Sequence, residues 1–243
     1  MYLIRNQEFW RDLEHAYFTP VSALGPDSDE APAESEVCSG AAVRALVRFG
    51  HRLVCSGSTD GTLRIWPRSY RPADNVLHRP SIVYSAGDGA AVLCLAQWQG
   101  LLISGHDDGA LRAWEPATGR CARRRPAAHD DSIYTLARCP GGRLASASYD
   151  RAIKIWAANR RCRDGGAGWW ACERVLAGHR CLITALAVLP GGRGGAGTLF
   201  SASLDRTVRA WRLADGAPRA APAGHAAAVY ALALVSAATR ARA

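Results

Sequence analysis

Lysine is nearly missing from this chain: 29 of its 30 basic residues are arginine, and Lys154 stands alone. So uniform a preference reads as biased residue usage rather than as the demand of one site. Long apolar runs are missing too. No window approaches the ~20 apolar residues that a membrane-spanning helix needs, and the longest, such as ITALAVLP, have strand length. The opening MYLIRNQEFW turns polar after four residues, so it gives no signal-peptide pattern, and a cytoplasmic or nuclear location is the expectation. Eight cysteines are too sparse for a disulfide scaffold and include no CxxC pair. Cys162, Cys172, His179 and Cys181 therefore lack the close pairing of a structural zinc site. Cys55 and Cys94 lie in apolar, strand-like runs and read as buried thiols. The glycines of GGRGGAG (191–197) are not followed by Lys-Ser or Lys-Thr, so they read as a flexible insert rather than a phosphate loop. No cofactor or metal site is expected.

What is present is a chain of 243 residues, 49% hydrophobic, able to bury a core in one or two domains. Its net charge of +9 is uneven: residues 1–50 hold four basic and eight acidic side chains, leaving +13 on the remainder. Such a body could attract acidic segments, RNA or anionic lipid. The densest clusters are Arg120/Arg123/Arg124/Arg125 and Arg160/Arg161/Arg163, with no aromatic-interleaved stripe. A solvated positive face is the simpler reading, and RNA the lesser alternative.

Four segments repeat one phrase: LVCSGSTDGTLRIW (53–66), LLISGHDDGALRAW (101–114), RLASASYDRAIKIW (143–156) and LFSASLDRTVRAW (199–211). Their tryptophans, Trp66, Trp114, Trp156 and Trp211, are 48, 42 and 55 residues apart, a period that marks internal repeats. Each segment has the pattern of a tight hairpin. An apolar run ends in small residues, an aspartate makes the turn, and an alternating strand finishes on tryptophan. In the first, Thr62, Arg64 and Trp66 share one face and Leu63 and Ile65 the other. Asp60-Gly61 and Asp108-Gly109 suit a turn with positive φ, whereas Asp150-Arg151 and Asp205-Arg206 imply a more forgiving one. Another strand precedes each hairpin, at 43–47, 92–96, 133–137 and 183–189. A less regular one follows, at 75–78, 121–125, 171–176 and 219–223. Four short antiparallel strands per repeat make a propeller blade.

On these residues the chain resembles the WD40 repeat family. The resemblance implies an all-β fold of WD40-type beta-propeller blades, each a four-stranded antiparallel sheet, over residues 38–235. It also implies a hydrogen-bonded network of His, Ser or Thr, Asp and Trp inside each blade. Carried onto this chain, the fourth repeat supplies His179, Ser201 or Ser203, Asp205 and Trp211, and the third His129, Ser146 or Ser148, Asp150 and Trp156. The first keeps Ser56 or Ser58, Asp60 and Trp66 without a histidine; the second has Ser104, Asp108 and Trp114, with His106 where a serine stands elsewhere. Gly224-His225 opens a fifth repeat. The aspartate that follows tryptophan in the family is replaced by Pro67, Glu115, Ala157 and Arg212. Four repeats and a stub imply an incomplete or open propeller. A truncated product is the first expectation, with completion by a partner chain or by further copies as the alternatives.

The same His, Ser and Asp recur in successive repeats, so they read as structural rather than as a catalytic triad, and no catalytic residue is expected. The resemblance implies a scaffold or adaptor that binds protein partners on the rim formed by the tight turns. The outward residues there are Thr59, Asp107, Tyr149 and Leu204, with Tyr149 the strongest candidate. Asp107-Asp108 and Asp130-Asp131 are either contacts for a basic peptide or ordinary turn residues. An RNA-associated protein is the second functional class. A regulatory or substrate-recognition propeller of a larger enzyme, such as a ubiquitin ligase or kinase, is the third. Trp169-Trp170 either begins an outer strand packed on the neighbouring repeat or forms an exposed docking patch, the first being expected. Residues 1–18 read as a short helix or outer strand, 19–37 as an acidic Pro/Ser-rich linker with Ser28 a candidate phosphorylation site, and 236–243 as an irregular tail.

Overall fold

The polar–apolar alternation around each aspartate becomes a hairpin in the computed structural model, which describes residues 41–50, 53–67, 82–85, 87–159, 169–192, 195, 197–219 and 224–234. The amino-terminal segment, the acidic linker, the fourth strand expected at 75–78, Cys162 and the tail after 235 lie outside the described residues. The sixteen described strands form four antiparallel sheets, each in simple sequence order, within Ala41–Leu232. Sheet one holds β1 (Val43–Phe49), β2 (Leu53–Ser58), β3 (Thr62–Pro67) and β4 (Ile82–Ser85). Sheet two holds β5 (Val92–Trp98), β6 (Leu101–His106), β7 (Leu111–Trp114) and β8 (Cys121–Arg125). Sheet three holds β9 (Ile133–Cys139), β10 (Arg143–Ser148), β11 (Ile153–Ala158) and β12 (Trp170–Leu176). Sheet four holds β13 (Ile183–Leu189), β14 (Thr198–Ser203), β15 (Val208–Arg212) and β16 (Pro218–Arg219). The first strand of each sheet packs on the first strand of the next, β1 on β5, β5 on β9 and β9 on β13.

Each first strand carries a bulge at its second residue: Arg44, Leu93, Tyr134 and Thr184 fall between register-shifted pairs. The bulge bends the strand at the end where it approaches the tight turn. Between sheets lie three apolar layers. Cys55, Leu63, Ile65 and Tyr84 of sheet one meet Val92, Leu102 and Trp114 of sheet two. Tyr84 stacks on Trp114 at 6.0 Å and donates its hydroxyl to the Pro116 carbonyl at 2.6 Å. Sheets three and four meet through Ala145, Ile153, Ile155, Ile183, Leu199 and Trp211.

The middle layer is aromatic. Trp98 contacts Trp169 and Trp170 at 5.1 and 5.5 Å, and Trp170 lies 6.2 Å from Trp156. Trp169 and Trp170 are only 7% and 3% exposed, so they are core and not a docking patch. Trp98, which the repeat pattern did not mark, anchors this layer by donating its indole N–H to the Gly142 carbonyl at 2.7 Å.

The four tight turns are alike. In each, one aspartate carboxyl oxygen accepts the backbone N–H two residues on: Thr62, Ala110, Ala152 and Thr207, at 2.8 to 2.9 Å. The residue after each aspartate is left-handed, with φ of 79° at Gly61, 71° at Gly109, 72° at Arg151 and 69° at Arg206. The expectation of a more forgiving turn at the two arginines is therefore corrected. The aspartate and the first-strand contacts over-determine the backbone, and arginine is carried into the same conformation at a steric cost of about 1–2 kcal/mol. In sheet four the last strand starts at Pro218, ahead of the expected 219, and ends at Arg219 among the described residues.

The turns supply a paired prediction. Arg206→Gly removes the left-handed penalty and raises the unfolding free energy by up to about 1 kcal/mol, less the entropy glycine adds to the unfolded chain. Gly109→Ala lowers it by about 2 kcal/mol or more, because its methyl group would collide with the His129 carbonyl oxygen. Urea unfolding of both variants checks the two signs.

Candidate functional site: a buried polar network and the groove it positions

The aspartate that makes each turn also reaches into its sheet. In sheet three, Trp156 donates its indole N–H to Ser146 Oγ at 2.8 Å, and His129 Nε2 lies 2.7 Å from the same hydroxyl. His129 Nδ1 lies 2.7 Å from Asp150 Oδ2. The carboxylate can only accept, so Nδ1 carries the hydrogen, and Ser146 passes its own hydroxyl hydrogen to Nε2. Sheet four repeats the arrangement with Trp211, Ser201, His179 and Asp205 at 2.9, 2.7 and 2.8 Å. Of each serine pair, the first joins the network. The second caps the turn: Ser148 Oγ accepts the Asp150 N–H and donates to the Asp131 carbonyl, and Ser203 does the same for Asp205 and Cys181.

Burial works to raise the Asp150 carboxyl, but the bonds from His129 and from the Ala152 and Asp130 amides outweigh it and hold the group at about 2. Asp205 is held low against burial by Thr207, the Arg180 amide and His179. Burial keeps His179 below its ordinary value despite Asp205 beside it. Both hub hydroxyls, on Ser146 and Ser201, are fully buried and engaged by two partners, so neither is open to a substrate.

Sheet two reaches the same end by different residues. Asp88 stands four residues before Val92, where His129 and His179 stand before Ile133 and Ile183. The imidazole comes instead from His106, whose Nε2 lies 2.7 Å from Ser104 Oγ while Trp114 donates to that hydroxyl at 2.8 Å. His106 Nδ1 donates to the Ala90 carbonyl at 3.2 Å. The carboxylate at the histidine position is matched by Arg112, fully buried, at 2.5 Å from Asp88 and 2.7 Å from Asp108. Arg124 reaches Asp88 as well, at 2.7 Å. Burial first, and then the Arg112 charge, push His106 down to about 4. Sheet one keeps only the Trp66–Ser56 bond at 2.9 Å, with Asp60 bonded to Thr62 and to the turn. His225 is exposed; its backbone N–H reaches the Arg206 carbonyl at 2.8 Å, as that of His129 reaches Gly109 at 3.0 Å. Its ring has no hydrogen-bond partner among the described residues.

Thr59, Asp107, Tyr149 and Leu204 occupy equivalent rim positions. Each donates its backbone N–H to a carbonyl at the start of the same sheet: Ala42, Ala91, Ser132 and Leu182, at 2.9 to 3.2 Å. Thr59 and Leu204 are half-buried, Asp107 and Tyr149 exposed. Tyr149, 51% exposed, stands in a groove of about 490 Å³ between sheets three and four, lined by Asp130, Asp131, Arg151, Arg180 and Leu182 as well. Among the described residues no cluster of three His, Cys, Asp or Glu side chains is placed to hold a metal ion.

Two predictions follow from the network. Ser146→Ala strands a buried indole N–H and a buried imidazole, for a loss of roughly 2–3 kcal/mol, against about 1 kcal/mol for Ser148→Ala at the rim, measured by urea unfolding. The pH dependence has a definite sign. The folded chain resists the proton that unfolded His106 takes up near its ordinary value of 6.5. Stability is therefore fully present above about pH 6.5 and falls as the pH drops toward 4, by roughly 3 kcal/mol for that shift. His179 adds to the fall, and Asp150 extends it toward pH 2. His106→Gln flattens the slope between pH 6.5 and 4 in urea titrations.

Known proteins share these features. The WD domain, G-beta repeat model matches residues 36–67, 120–157 and 170–212, so most of sheet two, with its altered network, falls between matched segments. Nuclear distribution protein PAC1 of Arthroderma otae is 27% identical over 179 residues, covering 68% of this chain and 34% of that protein. Ribosome biogenesis protein ytm1 of Aspergillus clavatus is 32% identical over 136 residues, 54% of this chain and 27% of that one. Protein Notchless of Drosophila melanogaster is 37% identical over 117 residues, 46% and 21%. The chain thus spans about a third or less of these curated relatives. Among solved structures, the computationally designed Ika8 protein superposes with a TM-score of 0.62 at 25% identity, over 80% of this chain and 53% of that one. With its hairpins, its Ser–Trp hubs and its sheet order, the chain is a WD40 repeat protein built of four-stranded propeller blades.

Proposed function

We propose that this chain is a non-enzymatic scaffold or adaptor that holds a partner protein on its tight-turn rim, at the groove around Tyr149. The observation that carries the reading is Tyr149 itself: a half-exposed aromatic on a turn whose backbone is tied to Ser132 and, through Asp150, to the buried network. A rigid aromatic loses little entropy when covered, so it suits the centre of an interface. The relatives named for nuclear distribution and ribosome biogenesis support a role in assemblies rather than in catalysis. The arginines of 120–125 favour protein over RNA. Arg120 is paired with Glu115 at 2.6 Å, Arg124 with Asp88 at 2.7 Å, and Arg123 lies over Trp169 at 6.0 Å.

The reading is checked by capturing the tagged full chain from cells and quantifying what co-purifies. Tyr149→Ala is expected to reduce the specific partners by about tenfold or more. Val175→Ala, an exposed change on the outer strand of sheet three, leaves them in place. Unchanged capture by Tyr149→Ala would remove this face from the account.

A further inference from the structure

The groove around Tyr149 is polarised. Asp130 and Asp131 come from the segment that enters β9, Arg151 from the turn of the same sheet, and Arg180 and Leu182 from the segment that enters β13. Asp107 adds to the acidic side, since its carbonyl accepts the Ser132 hydroxyl at 3.0 Å. Opposite charges on neighbouring surfaces of the chain find each other, as Glu115 finds Arg120, Asp88 finds Arg124 and Asp215 finds Arg212. Here they do not. The side chains of Asp107, Asp130, Arg151 and Arg180 make no hydrogen bond or ion pair among the described residues.

The backbone beneath these free charges is held firmly. The Asp130 N–H donates to Asp150 at 3.2 Å and the Arg180 N–H to Asp205 at 2.9 Å, so the buried network fixes both walls. The Arg151 and Tyr149 amides are bonded to Ser148 and Ser132. Leu182, nearly buried, offers an apolar surface beside the tyrosine ring. Fixed backbone with unsatisfied charge of two signs, parted by an apolar centre, is the counterpart of a ligand with the reverse order of charge.

We infer that the groove takes an extended peptide segment of a partner protein, with a basic side chain against Asp130 and Asp131, an apolar one on Tyr149 and Leu182, and an anionic one against Arg151 and Arg180. This rests on the scaffold reading and specifies the partner's chemistry. A uniformly basic segment would meet the arginines, and a uniformly acidic one the aspartates. The order of charge therefore selects the partner, and a like-charge contact is the penalty for a wrong one.

The test uses the full chain and dye-labelled synthetic peptides in fluorescence anisotropy. One peptide runs from arginines through a central leucine to glutamates; two controls of equal length are uniformly basic and uniformly acidic around the same leucine. The polarised peptide is expected to bind at least about tenfold more tightly than either control, and to weaken as salt is added. The double variant Asp130→Arg with Asp131→Arg is expected to reverse the preference in favour of the acidic peptide, its circular dichroism unchanged. Equal affinity for all three peptides, or tightest binding of a uniform one by the unaltered chain, overturns the inference. Loss of cellular capture by Tyr149→Ala without any peptide preference would keep the scaffold reading and discard the charge order. A preference that reverses as expected, with capture indifferent to Tyr149→Ala, would keep the groove's chemistry and discard the scaffold face.

Discussion

A tryptophan indole N–H shut away from water needs an acceptor, and in every sheet that acceptor is a serine hydroxyl on the neighbouring strand. The hydroxyl then has a hydrogen of its own to place. In sheets three and four it goes to a histidine that enters from the first strand, and the histidine hands its other N–H to the turn aspartate. One chain of bonds thus joins the outer part of the sheet, its inner strand and the rim. Removing any member leaves a buried polar group without a partner, which costs more than the bond itself contributes.

Sheet two shows that the constraint is chemical rather than positional. With Asp88 where the histidine would stand, the imidazole arrives from His106, two residues beyond the hub serine, and satisfies the same hydroxyl. The misplaced carboxylate is neutralised by a buried arginine shared with the turn aspartate. Burying three charges is tolerable only when each is paired and bonded, which Arg112 achieves with Asp88 and Asp108. The network also has an outward consequence. By fixing the turns and the segments that enter β9 and β13, it leaves rim side chains as the variable part, and there Tyr149, Asp130 and Arg180 differ from their counterparts in the other sheets.

The hairpins were legible because their signals are local: an aspartate, a left-handed residue and a tryptophan at fixed spacing. The recurrence of these three carried the fold class, and the candidate network residues could be named from it. Three things were not legible. Which serine of each pair takes the indole depends on cross-strand register, with Ser146 opposite Lys154 and Ala147 opposite Ile153, and a phrase read along the chain does not show it. Trp98 sits at the end of an inner strand, and its meeting with Trp169 and Trp170 is a contact across two sheets. Its aromatic character was a signal, but nothing in the repeat gave it a place. The φ angles of Arg151 and Arg206 ran against residue preference, because tertiary contacts override a local penalty of about 1–2 kcal/mol. The pairing of Asp88 with Arg112, 24 residues apart, could have been suspected from an aspartate at the histidine position, since a buried carboxylate requires a cation.

The most direct test is hydrogen exchange of the indole N–H groups, followed by nuclear magnetic resonance on the full chain at neutral pH. If the serine hub is what each sheet depends on, Trp114 is protected as strongly as Trp156 and Trp211, although its histidine comes from a different place in the chain. A Trp114 indole that exchanges like a solvent-exposed one, with Trp156 and Trp211 still protected, would contradict the account: His106 and Arg112 would then fail to replace the missing histidine.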